Sequence, residues 1–141
     1  MSIQYRVLLV EDCVTDALLS ARAVERSGLQ VVWERVETAA EMRTALAEKT
    51  WDFILCDYHL PWFNSLAALT VYKESGLDIL FIVVSGMIGE EQAMKMIEAG
   101  AHDYVMKDHL AQLAPIVRRQ LQVAQERCIR QRSQATNPAH D

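Results

Sequence analysis

Residues 7–12 read VLLVED: four apolar residues in a row, Val7, Leu8, Leu9 and Val10, closed by the acidic pair Glu11 and Asp12. A strand with one wet face alternates apolar and polar residues. An unbroken apolar run marks a strand covered on both faces, as in a parallel sheet between two helix layers. The signature recurs at Phe53 to Cys56, closed by Asp57, and at Ile79 to Val84, closed by Ser85. A shorter version, Asp103 to Met106, ends at Lys107, and Val31 to Val36 is a more polar strand. Helical spacing fills the gaps: Ala17, Leu18, Ala21 and Val24 before Gly28; Met42, Ala45, Leu46 and Lys49 behind the capping box Thr38–Glu41; Leu66, Leu69 and Tyr72 before Gly76; Ala93, Met96 and Ile97 before Gly100. A last stripe, Leu110, Leu113, Val117, Leu121, Ala124 and Cys128, averages 3.6 residues per step, with Asp108 as the expected N-cap. Five strands alternating with five helices predict an α/β fold, a doubly wound parallel sheet with helices on both faces.

The chain has 141 residues, enough for one domain. The expected division is a domain over 1–125 and, over 126–141, an extension of the last helix and a frayed tail. Hydrophobic residues make up 51% and charged ones 23%, which excludes disorder for the bulk of the chain. The longest apolar run is six residues, far below the roughly 20 of a membrane span, so no membrane partner is expected. No signal peptide is visible at the start. Cys13, Cys56 and Cys128 form no CxxC pair and fit free thiols in a reducing cytoplasm. Residues 1–114 carry 9 Lys/Arg against 17 Asp/Glu, whereas residues 115–141 carry 5 Arg against 2 acids. The acidic body argues against a nucleic-acid partner, as do Trp33, Trp51 and Trp62, which lack an interleaved basic stripe. Met94, Met96 and Met106 read as gap-filling residues.

In a doubly wound sheet, ligands bind outside the carboxyl ends of the strands. Glu11, Asp12, Asp57, Ser85 and Lys107 all stand there. Each alone is ordinary: an acidic pair is often an exposed loop, a strand-closing Asp a helix cap, a lysine a solvated charge. Together they form a site. Three carboxylates brought close repel one another and are stabilised by a cation, and an all-oxygen ligand set with open positions favours Mg²⁺. Lys107 can pair with a phosphoryl oxygen, Ser85 can donate to another, and Asp57 can attack phosphorus to form an acyl phosphate.

Four stretches, VLLVED at 7–12, ILCDYHLP at 54–61, IVVSG at 82–86 and AGAHDYVMK at 99–107, resemble the response-regulator receiver domain of two-component signalling, over about residues 5–125. The resemblance implies a flavodoxin-like sheet of order 2-1-3-4-5. It makes Asp57 the phospho-acceptor, with Asp12 binding Mg²⁺ directly, Glu11 through water, and the backbone carbonyl of His59 as a further ligand. Ser85 and Tyr104 fall on the switch hydroxyl and aromatic, and Lys107 on the family lysine. The implied partners are a histidine kinase or phosphotransfer protein as phosphoryl donor and a downstream protein target. The implied role is a signalling switch rather than a metabolic enzyme.

Three departures stand out. Asp108 follows the lysine where the family often has a cis proline, so a trans bond is expected here. Ser65 stands where a glycine is usual. The His59 side chain reads either as overhanging the phosphoryl group or as a solvated loop residue. Tyr104 also reads as packing at a strand edge. A receiver-like interaction module that is never phosphorylated is the alternative. No output module is visible, so the chain is expected to be a single-domain regulator or part of a larger one. The last helix, with Arg118, Arg119, Arg127 and Arg130, is the expected homodimer or partner surface.

Overall fold

The computed structural model describes residues 4–26, 28–58, 65–86 and 90–123. Five strands, β1 (Gln4–Val10), β2 (Gln30–Val36), β3 (Phe53–Asp57), β4 (Leu80–Ser85) and β5 (Asp103–Met106), form one sheet of order β2-β1-β3-β4-β5. Every neighbouring pair is parallel. Helices α1 (Val14–Glu25), α2 (Ala39–Glu48), α3 (Ser65–Glu74) and α4 (Glu90–Ala99) make the crossovers. A 3₁₀ turn, Lys107–Gln112, leads into a final helix, α5, over residues 113–123. The expected architecture is the observed one. No described helix is long and apolar enough to cross a membrane.

Side chains alternate along each buried strand and feed two cores. Leu8, Val10, Ile54, Cys56, Phe81 and Val83 pack with Met42, Leu46, Leu69 and Met96 beneath α2, α3 and α4. Val7, Leu9, Phe53, Leu55, Ile82 and Val84 pack with Ala17, Val24, Leu113 and Val117 beneath α1 and α5. Both faces of β1, β3 and β4 are therefore dry, which is why those strands carry unbroken apolar runs. The Thr38–Glu41 capping box is present, with Glu41 N–H donating to Thr38 Oγ1 at 3.1 Å. Gly100 turns the chain from α4 to β5 at φ +128°, and a Cβ there would stand 2.6 Å from Lys73 Cε.

Two local expectations fail. Asp108 does not cap the last helix: Met106 holds the extended cap backbone, and Asp108 sits inside the 3₁₀ turn that Lys107 begins. Its backbone is already in the turn, so its carboxylate does not reach back to the free amides; it lies 3.4 Å from His109 Nδ1 instead. The Leu66, Leu69 and Tyr72 spacing does mark α3, whose buried face is centred on Ala68, Leu69 and Tyr72 and leaves Leu66 half exposed. Met94 is also half exposed, while Met96, two residues on, is buried. No peptide bond among the described residues is cis, in line with Asp108 replacing proline. Pro61, Trp62, the Ala124–Cys128 end of the apolar stripe, Arg127, Arg130 and the tail lie outside the described residues.

Candidate functional site

Parallel register brings the polar strand ends together. Val10 pairs with Cys56, so Glu11 and Asp57 leave β1 and β3 at one level. Asp57 pairs with Val84, and Ser85 with Met106, which sets Ser85 beside Asp57 and Lys107 one step beyond β5. A carboxylate oxygen from each of Glu11, Asp12 and Asp57 lies within 4.8 Å of the other two. Glu11 and Asp57 are buried and Asp12 is exposed, so the cluster has a dry floor and an open mouth. Three oxygen donors with space on one side suit a hard divalent cation that keeps some of its waters.

Lys107 closes the site. Its Nζ stands 3.1 Å from Asp57 Oδ2, 3.2 Å from Glu11 Oε2 and 2.6 Å from Asp16 Oδ2. Partial burial pulls the ammonium down, but the hydrogen bonds to Asp16 and Asp57 and the charges of Asp57 and Glu11 win, so Lys107 is held firmly protonated. One positive charge cannot balance so many carboxylates. Glu11 is pushed up to about 8, chiefly by burial and then by its contact with Asp57. Cys56 is also raised well above its usual range, by burial and then by the charges of Asp57 and Glu11; it is an inert packing residue.

Ser85 is fully buried, and its Oγ has no hydrogen-bond partner among the described residues. An unpaired buried hydroxyl is costly, so this group is a candidate for a partner the described residues do not supply. Tyr104 packs against the α3–α4 core from β5, on the same side as Met96 and Phe81. Glu11 is held by β2: its N–H donates to the Val36 carbonyl at 3.0 Å, and Arg35 donates to its carbonyl at 3.2 Å. His59 lies outside the described residues. Ser65 opens α3, buried, with its Oγ 3.5 Å from Met96 Sδ. Sequence reasoning missed Asp16. It stands in the first turn of α1, where an acid is ordinary, and nothing in the sequence singles it out.

With that geometry in view, the comparisons are informative. The family described as response regulator receiver domain matches residues 7–118. The chain is 25% identical over 103 residues to the chemotaxis protein CheY of Bacillus subtilis, covering 73% of this chain and 85% of that protein. It is 29% identical over 101 residues to the swarming motility regulation protein RssB of Serratia marcescens, covering 72% of this chain. It spans only 45% of RssB's length. Its fold matches the receiver domain of a sensor histidine kinase from Pseudomonas aeruginosa PAO1 at a TM-score of 0.70 and 21% identity, covering 84% of this chain and 98% of that one. That structure has a magnesium ion coordinated in its active site cleft.

Proposed function

This chain belongs to the response regulator receiver domain family, and we propose that it accepts a phosphoryl group on Asp57 from a histidine kinase or phosphotransfer protein. The observation that carries this reading is the Glu11–Asp12–Asp57 cluster set against Lys107 and the unpartnered Ser85 hydroxyl. The donor set fits Mg²⁺, which Glu11, Asp12 and Asp57 would hold; His59 would add its backbone carbonyl. When bound, the cation supplies charge neutralisation at the transferring phosphoryl oxygens. The kinship with a receiver domain that carries magnesium in its cleft supports that assignment.

A carboxylate oxygen of Asp57 forms the new O–P bond as the N–P bond of a donor phosphohistidine breaks, and the leaving imidazole keeps the electron pair and takes a proton. Lys107, already 3.1 Å from Asp57, pairs with one phosphoryl oxygen. Ser85 Oγ finds its missing partner in another. Drawing Ser85 inward opens space that Tyr104 fills, which repacks the α4–β5–α5 face read by a downstream protein. The domain acts as a signalling switch, catalysing only its own phosphorylation and hydrolysis.

The test is incubation with a small acyl phosphate and Mg²⁺, followed by mass spectrometry. One phosphoryl group is expected, on Asp57, and Asp57→Asn should abolish it because an amide is a poor nucleophile. Labelling that survives in that variant overturns the assignment.

A further inference from the structure

We propose that Asp16 is the positioning residue of this site: it holds Lys107 at the cleft when the other two partners of that lysine are engaged elsewhere. The inference rests on Asp57 being the acceptor. A lysine ammonium has three N–H donors, and here it meets three carboxylates. The contact to Asp16, at 2.6 Å, is shorter than those to Asp57 and Glu11 at 3.1 and 3.2 Å.

The three are not equivalent. Glu11 and Asp57 also belong to the cation-sized cluster with Asp12, and Asp16 does not. A divalent cation in that cluster takes the charge of Glu11 and Asp57 and repels the ammonium. Asp16 is then the anionic contact that remains to it among those three. The lysine stem is long and flexible, and beside it lies a cavity of about 340 Å³ lined by Leu19, Ser20, Gly86, Asp108 and Leu110 as well as by Asp16 and Lys107 themselves. Gly86 offers no side chain to block that route; a Cβ there would stand 4.0 Å from Lys107 Cδ. Without Asp16 the ammonium swings toward the cavity and must return before it can meet a phosphoryl oxygen. With Asp16 it waits in place, so its interaction with the developing charge needs no reorganisation. Asp16 makes and breaks no bond in the transfer and acts only through Lys107.

The full-length chain, with Asp16→Asn and Asp16→Glu, tests this in saturating Mg²⁺. Phosphorylation by an acyl phosphate should slow about tenfold in Asp16→Asn, the value of one charge-assisted hydrogen bond, and Asp16→Glu should recover most of the rate. The ¹⁵N resonance of the Lys107 ammonium, sharp only while the group is shielded and held, should persist with Mg²⁺ in the wild type and Asp16→Glu and vanish in Asp16→Asn. Equal rates and equal ammonium signals in wild type and Asp16→Asn overturn the proposal. So does slowing by both variants alike together with a matching drop in melting temperature, since that describes a merely structural residue. Wild type that takes no phosphoryl group at all would overturn the acceptor reading of Asp57, and this inference with it, whereas wild type that labels normally alongside an unaffected Asp16→Asn sinks this inference alone.

Discussion

Raising the pH of the protein from about 6 to about 8, kept free of divalent cations by a chelator, should destabilise it. Glu11 is pushed up to about 8 from an ordinary 4.5, first by burial and then by Asp57. A carboxyl whose folded pKa exceeds its unfolded one binds more protons when folded. Its contribution to stability is complete below the unfolded value and is lost as the pH rises through the folded one. Integrated over those two values, the loss between about pH 6 and pH 8 is about 2 kcal/mol. For a domain of this size that is roughly 4–8 °C in melting temperature. Lys107 is protonated throughout this window and adds no slope. The difference between wild type and Glu11→Gln isolates Glu11. Melting followed by far-ultraviolet circular dichroism, stepped through the window, reads it directly. Wild-type melting that stays level or rises relative to Glu11→Gln would refute the reasoning, since Glu11 would then be ionised throughout and fully compensated by Lys107.

Mg²⁺ at ten times its dissociation constant should stabilise the wild type by about 1.4 kcal/mol, and Asp12→Ala should remove most of that gain; thermal melts with and without the cation decide it. Ser85→Ala removes a buried hydroxyl that has no partner among the described residues, so the unphosphorylated variant should melt no lower than wild type and up to the equivalent of about 1 kcal/mol higher, yet show a reduced shift of amide NMR signals over residues 90–110 on adding a phosphoryl mimic. Lys107→Ala should lose more of that shift, because a cationic partner is removed. Thr38→Ala breaks the α2 capping box and should cost about 1 kcal/mol in denaturant unfolding, while phosphorylation of Asp57 proceeds at the wild-type rate.

What the sequence by itself determined is what short-range physics can carry. Unbroken apolar runs announced strands buried on both faces, Thr38 and Glu41 announced a helix start, and the polar residues closing each strand marked the edge where chemistry would gather. These signals are local, because a strand's period or a cap's hydrogen bond is settled within a few residues. The strand order came from likeness to a family rather than from periodicity, and the sheet pairing bears it out. Only the tertiary structure decided which carboxylates share the lysine. Asp16 and Lys107 stand 91 positions apart, and no pattern in the chain distinguishes Asp16 from any acid in a helix's first turn. The same holds for Ser85, whose lack of a partner is visible only once the packing around it is closed. Asp108 failed as a cap and Met94 as a gap-filling residue for a related reason: both sat on correct local patterns, but the turn after β5 and the rotation of α4 on the sheet are set by what those segments pack against. Burial likewise decided that Glu11, although one of a pair of adjacent acids, is the one driven toward its neutral form.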